Sequence, residues 1–204
     1  KNCKFLFDGL VDQSVSANRG AAVRTNGTAA TVTIDSLLVQ NNEIGTATQA
    51  AGYGILVSNA ASTYSSKVNI LNNIVFGSTV PINTLRANID GTTLNITGNT
   101  VSLIGFDTPL GYSEYGIWID QSSGTVNVTK NKIVRVNGYN SNASAYPLYG
   151  IFLGRQNIGS IVNVVNNFVS NFSWHGTNKA LSNIFGVYLA GTTASTYNIY
   201  FNTV

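Results

Sequence analysis

Acidic side chains are the residues of this sequence that could perform acid–base chemistry or hold a cation. Among the eight Asp and Glu residues, Asp90 and Asp120 have a spacing that could bring two carboxylates together. Each follows an apolar residue of a short recurring segment, so on adjacent strands they would lie about 5 Å apart. That separation suits a retaining glycosidase or a Ca²⁺ site. The alternative, which we favour, is two solvated turn residues, because no third carboxylate aligns with them.

Aromatic side chains form a second candidate site. Trp118, Phe152 and Tyr188 occupy the same outward position of one recurring segment. Stacked aromatic rings on a protein surface can bind sugar rings, which makes these three residues candidates for carbohydrate binding. The alternative is that the insertions at 136–148 and 170–183 fold back and cover the rings. The sequence leaves both interpretations open.

The other reactive side chains form no recognisable catalytic motif. His175 is the only histidine, which excludes a histidine-rich zinc site, and no Gly-x-Ser-x-Gly segment accompanies it. Cys3 is the only cysteine, so an internal disulfide bond is excluded. We therefore predict no catalytic residue, no metal site and no cofactor, with Ca²⁺ at Asp90 and Asp120 as the single exception considered.

The composition limits the classes of partner. Net charge is +3 and only 9% of residues are charged, whereas 44% are hydrophobic, which argues against disorder. The densest group of positive charges is Lys130, Lys132 and Arg135, whose spacing indicates one solvated strand face rather than a nucleic-acid site. No apolar run is long enough to cross a membrane. We therefore predict neither nucleic-acid binding nor membrane insertion.

The strongest signal is a repeat of the form apolar-Asn-apolar-x-x-Asn-x-apolar. One copy is Val126-Asn127-Val128 followed by Asn131 and Ile133. A weaker copy has Leu38 in place of the earlier Asn. We expect the later Asn of each copy to form a structural ladder, and the positions are Asn42, Asn73, Asn99, Asn131, Asn167 and Asn202.

A second motif, an aromatic residue followed by Gly and an apolar residue, lies between copies of the first. Four copies are clear: Tyr53-Gly54-Ile55, Tyr115-Gly116-Ile117, Tyr149-Gly150-Ile151 and Phe185-Gly186-Val187. We expect a first copy at 21–24 and a degenerate copy at 87–90, which is the assignment that brings Asp90 beside Asp120.

These motifs predict strands, because apolar and polar residues alternate within each copy and no helical period is sustained. A third short strand follows each later Asn. Three strands in roughly 30 residues form one coil of a solenoid, and about six coils at about 4.8 Å spacing give a rod on the order of 24 Å long. One apolar column points inward and the earlier Asn column points outward; the inward column is Ile70, Ile96, Val128, Val164 and Ile199.

The sequence resembles the right-handed parallel β-helix repeats of the pectin-lyase-like superfamily. More narrowly, the segments YGIWID (115–120), VNVVNNFVSNF (162–172) and YNIYFNTV (197–204) resemble Asn-rich repeats of large secreted surface proteins of Bacteroidota-type bacteria. The resemblance implies an all-β, three-sheet solenoid. If the chain is an enzyme, the resemblance implies a polysaccharide lyase or glycoside hydrolase, but the acid cluster of the polygalacturonase-type enzymes is not met.

Our leading interpretation is therefore one β-helix segment over 1–204, open at both ends and cut from a longer protein. We expect an extracellular or cell-surface location and a non-enzymatic structural or adhesive role as a stalk. The expected partners are further coils of the same longer protein and cell-surface polysaccharide. The alternative is a module that binds or degrades carbohydrate, and its candidate residues are Trp118, Phe152, Tyr188, Asp90 and Asp120.

Overall fold

The computed structural model describes residues 3–5, 21–27, 34–48, 50, 52–59, 65–77, 80–85, 93–104, 113–136, 147–172, 183–191 and 195–204. Over these ranges the secondary structure consists of 18 β-strands and their connecting turns. All strand pairs are parallel, and they form three sheets of six strands each.

The chain visits the three sheets in turn. Sheet A contains β1 (Lys4–Phe5), β4 (Glu43–Ile44), β7 (Ile74–Gly77), β10 (Thr100–Ile104), β13 (Lys132–Val136) and β16 (Phe168–Ser170). Sheet B contains β2 (Ala21–Gly27), β5 (Tyr53–Asn59), β8 (Val80–Leu85), β11 (Glu114–Asp120), β14 (Leu148–Leu153) and β17 (Ile184–Leu189). Sheet C contains β3 (Ile34–Gln40), β6 (Ser65–Leu71), β9 (Thr93–Thr97), β12 (Thr125–Thr129), β15 (Ile161–Val165) and β18 (Thr196–Tyr200).

This connectivity is a parallel β-helix with three sheets, which confirms the predicted fold class and the predicted third strand of each coil. The repeats predicted six coils. The structure forms about 4 turns, counted as the coils that have a neighbouring coil on both sides. The strands β1 to β3 and β16 to β18 form the two end coils.

The core lies between the three sheets and consists of stacked aliphatic columns. In sheet C, Ile70, Ile96, Val128 and Val164 are fully buried and lie in register on successive strands. Ile199 continues the column but is 39% exposed, because β18 is the last strand of the sheet. The inward column expected from the sequence is therefore confirmed.

The predicted Asn ladder runs along the corner between sheets C and A. In each step the backbone N–H and the side-chain Nδ2 of one Asn both donate to Oδ1 of the next, over distances of 2.9–3.0 Å. Nδ2 also donates to a backbone carbonyl of the preceding coil; Asn131, for example, donates to Ile96 O over 2.8 Å. From Asn73 onward, each ladder Asn therefore satisfies one backbone N–H and one backbone carbonyl of the preceding coil.

The residue that precedes each ladder Asn adopts a left-handed backbone conformation. Its φ is positive on six successive coils, at Asn41 (55°), Asn72 (52°), Gly98 (69°), Lys130 (56°), Asn166 (56°) and Phe201 (56°). Asn and Gly tolerate this conformation best among the amino acids, so Lys130 and Phe201 hold it at a cost.

Cys3 takes the place of the ladder residue in the first coil. Its backbone N–H donates to Asn42 Oδ1 over 3.1 Å, and its carbonyl accepts from the Glu43 N–H over 2.9 Å. The corresponding carbonyl of Asn42 accepts from Ile74 N–H at the same distance.

The degenerate copy of the second motif predicted at 87–90 is wrong. The strand that pairs with both β5 and β11 is β8, in which Ile82 is in register with Ile55 and Ile117. The motif therefore recurs as Val80-Pro81-Ile82, without the aromatic residue or the glycine by which we identified the other copies. The copy predicted at 21–24 is confirmed, because Val23 pairs with Ile55.

Candidate functional site

Two rows of aromatic side chains lie on the outer face of sheet B. The row predicted from the sequence contains Trp118, Phe152 and Tyr188, and Phe152 stacks on Tyr188 with ring centroids 5.6 Å apart. The second row was not predicted as part of a site. It consists of the aromatic residue of the aromatic-Gly dipeptide on the same three coils, namely Tyr115, Tyr149 and Phe185.

The rings of the second row stack along the helix axis. The Tyr115 and Tyr149 centroids lie 4.9 Å apart at an interplanar angle of 7°, and those of Tyr149 and Phe185 lie 5.2 Å apart at 11°. Trp118 packs on Tyr115 with centroids 4.7 Å apart, which joins the two rows. The aromatic-Gly motif was the signal that could have revealed this row.

Glycine places both rows on the same face of the sheet. Tyr115 and Trp118 are three residues apart, and strict alternation would point them to opposite faces. The strand register passes over Gly116, since Tyr115 pairs with Tyr149 and Ile117 with Ile151. A Cβ on Gly116 would lie 2.6 Å from the Gly150 carbonyl oxygen and 2.5 Å from Ile133 Cγ2, so only glycine fits there.

Trp118 and Phe152 form one wall of a groove at the corner where sheet B leads into sheet C. This corner groove has a volume of about 240 Å³. It brings together residues of three successive coils, and its lining is Trp118, Asp120, Gln121, Phe152, Gly154, Arg155 and Ala190.

Each charged side chain of the corner groove lies against a glycine of the following coil. A Cβ on Gly154 would collide with the Asp120 carboxylate, and a Cβ on Gly191 would lie 3.2 Å from Arg155 Cγ. Because these two positions lack a Cβ, they leave room for the Asp120 carboxylate and for the aliphatic part of the Arg155 side chain.

A network of hydrogen bonds holds the corner rigid. The buried Gln156 donates through Nε2 to Gly154 O over 2.9 Å, and its Oε1 accepts from Ser122 N–H over 3.3 Å. Asn157 Nδ2 donates to Ser123 Oγ over 2.6 Å, which joins the turns of two coils. Because the turn backbones are fixed, the adjoining side chains of the corner groove are preorganised for a ligand.

A second groove adjoins the first and shares two of its residues. Its volume is about 280 Å³, and it is lined by Gln121, Arg155, Gln156, Asn157 and Ile158. Arg155 thus lies between an aromatic groove and an amide-rich groove. The side chains that surround these grooves offer ring surface, hydrogen-bond donors and acceptors, and one charge of each sign.

Tyr115 and Tyr149 of the aromatic face stay protonated well above neutral pH. Burial raises the pKa of Tyr149 to about 12, and the neighbouring Tyr115 and Tyr188 contribute in the same direction. Burial likewise raises the pKa of Tyr115. These side chains therefore present neutral rings and hydroxyl groups, not phenolates.

One ion pair is buried inside the coil wall and not in the groove. Arg135 Nε donates to Glu114 Oε2 over 3.2 Å, and both side chains are almost wholly buried. Burial raises the pKa of the Glu114 carboxyl, and the attraction of Arg135 offsets this only in part. The prediction that Lys130, Lys132 and Arg135 share a solvated face is wrong for Arg135, which faces inward from sheet A.

The predicted pair of carboxylates is not supported by the strand register. Asp120 pairs with Leu85 of the preceding coil, so the assignment that placed Asp90 opposite Asp120 is wrong. Asp90 itself lies outside the described residues, as does His175. Of the remaining candidates, Trp118, Phe152 and Asp120 line the corner groove, whereas Tyr188 contributes to the aromatic face.

Within the described ranges, no three His, Cys, Asp or Glu side chains lie close enough together to hold a metal ion. The same residues include no helix with the length and hydrophobicity needed to span a membrane. Comparison of the sequence with protein-family models, curated proteins and solved structures gives no match.

Proposed function

We propose that this chain is a non-enzymatic, adhesive segment of an extracellular β-helix protein, and that it binds carbohydrate in the corner groove. The single observation that carries the proposal is the groove itself, where two aromatic side chains meet Asp120, Gln121 and Arg155. Sugars combine apolar ring faces with hydroxyl groups, so they are bound by aromatic side chains together with planar polar groups.

The volumes of the two grooves indicate that each binds only a small part of a ligand. The two adjoining grooves measure about 240 and 280 Å³, below or at the lower end of typical ligand sites. A short run of sugar residues on a longer glycan matches this size. Adhesion then arises from the low affinity of one groove multiplied over many copies on a cell surface.

A catalytic role is less well supported by the described part of the groove. Asp120 is the one carboxylate among its lining residues, whereas a retaining or inverting glycosidase uses a pair. The relationship to the pectin-lyase-like superfamily and to surface proteins of Bacteroidota-type bacteria is part of the proposal. It is supported by the three-sheet parallel fold and by the Asn-rich repeat.

A glycan array followed by calorimetric titration of the best ligand tests the proposal. We expect Trp118→Ala to weaken binding at least tenfold, because it removes the largest ring of the groove. Gly154→Ala should weaken binding similarly without removing any polar group, since its methyl group displaces the Asp120 carboxylate. Lys132→Ala is the matched control, because Lys132 is exposed on sheet A, away from the groove lining.

Two outcomes would contradict the proposal. Binding that is unchanged in both groove variants would remove the corner groove as the site. Release of reducing ends from the ligand by the wild-type chain, abolished by Asp120→Ala, would establish a glycosidase or lyase instead of an adhesive module.

A further inference from the structure

A second ladder of asparagines lies on the outer face of sheet C, away from the corner groove. Within it, each side-chain Nδ2 donates to Oδ1 of the Asn on the preceding coil, over 2.8 Å in all four steps. We call this row the amide rail, and its members are Asn69, Asn95, Asn127, Asn163 and Asn198. The sequence predicted that these side chains face outward but not that they bond to one another.

The amide rail retains hydrogen-bonding capacity that the described residues do not use. Asn95, Asn127 and Asn163 each spend one N–H and one acceptor site on the neighbouring coils. The second N–H and second lone pair of each amide have no partner among the described residues. All five side chains are half-buried, so they remain accessible to solvent. The rail thus repeats one donor and one acceptor about every 4.8 Å along the axis.

The residues beside the rail are hydroxyl-bearing or apolar, with one exception. Thr97 and Thr129 share a hydrogen bond of 2.9 Å on one side of it, and Thr93 and Thr125 are in register on the other. Among the described outward positions of β6, β9, β12, β15 and β18, Lys67 is the only charged residue. The strip is therefore close to neutral, and among these positions Lys67 alone offers a counter-charge for an acidic ligand.

The dimensions of the strip argue against a second copy of the chain as its occupant. Five strands and five residues per strand cover roughly 20 by 15 Å, about 300 Å². A stable protein interface buries about 800 Å² per partner around an apolar centre. The amide rail is smaller than this and has amides at its centre, so a narrow ligand fits it better than a protein surface does.

We infer that the amide rail binds a straight, neutral polysaccharide that lies along the helix axis. An extended chain of equatorially linked sugar rings places hydroxyl groups at intervals close to the coil spacing. Each further sugar then meets an equivalent amide on the next coil, so the contacts accumulate in register. A chain that curves loses this match after one or two coils, and a negatively charged chain meets a single counter-charge, at Lys67.

The test is the dependence of affinity on chain length, with β-1,4-linked gluco-oligosaccharides of two, four and six units as probes. We expect the affinity measured by titration calorimetry to rise about threefold or more per added sugar, until the rail is filled. The α-1,4-linked oligosaccharides of the same lengths, which curve, should show no such increase. Affinity for the β-linked series that is independent of length would overturn the inference.

A variant that lacks the rail amides but keeps the fold tests whether these side chains bind the oligosaccharide. Leu38 occupies the equivalent position on β3, in register with Asn69, so leucine is compatible with the strand. The triple substitution of Asn95, Asn127 and Asn163 to Leu should reduce affinity for the six-unit probe at least tenfold, with Lys132→Ala as the control. If circular dichroism shows that the triple variant is unfolded, Thr125→Arg replaces it, since it obstructs the strip and leaves the ladder bonds intact.

The same binding measurements distinguish the amide rail from the corner groove as the site of oligosaccharide binding. Loss of oligosaccharide binding in Trp118→Ala, with full binding in the rail variants, would overturn the inference and leave the corner groove as the only site. The reverse result would support the rail, and the corner groove would then be judged on its own ligand from the glycan array. Length-dependent binding that the rail variants abolish and Trp118→Ala leaves unchanged is the result we expect.

Discussion

Asn131 and Asn127 lie on the same coil and are chemically identical, so their replacement by alanine gives a sharp test of the two ladders. Asn131 is 1% exposed and belongs to the buried Asn ladder at the corner between sheets C and A, which we call the corner ladder. Asn127 is half-buried and belongs to the amide rail. Both substitutions remove the same atoms, and the difference between them reports only the surroundings of each amide.

The expected cost of Asn131→Ala follows from the groups that lose their partners. Asn131 Oδ1 accepts from the Asn99 backbone N–H over 3.0 Å, and Asn131 Nδ2 donates to Ile96 O over 2.8 Å. Alanine leaves this buried N–H and this buried carbonyl without a partner. Each unsatisfied group costs about 1–3 kcal/mol, so we expect the two together to lower the free energy of unfolding by about 2–6 kcal/mol.

Asn127→Ala should cost about 1 kcal/mol or less. It removes two hydrogen bonds of 2.8 Å, to Asn95 and from Asn163, but both lie on a surface that water reaches. Water replaces the missing partners, so no group is left buried and unsatisfied.

The assay is urea-induced unfolding followed by circular dichroism, with the two variants and the wild type measured side by side. The comparison requires similar dependence on urea concentration in all three, because a change in that slope indicates a different unfolded or native state. Equal losses, or a larger loss for Asn127→Ala, would show that the corner ladder does not carry the stability that its burial indicates.

Three further predictions concern charge, backbone conformation and alkaline pH. Arg135→Ala should lower the free energy of unfolding by about 3–5 kcal/mol, because it leaves the Glu114 carboxyl buried without its partner; a loss below 1 kcal/mol in urea unfolding would contradict this. Lys130→Asn should raise that free energy by about 0.5–1 kcal/mol, since φ at this position is 56° and Asn tolerates the left-handed region better; an unchanged or lower thermal midpoint would refute it. Since the pKa of Tyr149 is raised from 10.0 to about 12, its contribution to stability is complete below pH 10 and lost as the pH rises through 12. Tyr149→Phe should therefore reduce the loss of stability between pH 10 and 12, as thermal unfolding across that range would show.

The repeat determined the fold and the corner ladder without reference to the structure. In a solenoid, residues one coil apart meet directly, so regular spacing in the sequence becomes contact in space. The two Asn columns and the apolar residues between them kept their relative positions on successive coils, which left one register for the strands. The outward position of Asn127 follows from the alternation of side chains within β12. Asn131 is buried because it lies beyond the strand, at the corner that follows the left-handed residue Lys130.

The copy of the second motif on β8 could not be recognised in the same way. Val80-Pro81-Ile82 has neither the aromatic residue nor the glycine of the other copies, and only its pairing with β5 and β11 identifies it. Since one wrong register moves every residue of a strand, this error alone produced the predicted pairing of Asp90 with Asp120.

The corner groove and the buried ion pair required the tertiary structure. Trp118 and Phe152 are in register on paired strands, as the repeat predicted. Gln121 and Arg155 join them from the turns between sheets B and C, whose lengths differ from coil to coil and follow no repeat. Arg135 is buried because Glu114 of the preceding coil lies beside it at 3.2 Å, whereas its sequence neighbours Lys130 and Lys132 are exposed. The repeat thus determines which residues stack on neighbouring strands. The contacts that charged and turn residues make with other coils are set by three-dimensional packing and not by the repeat.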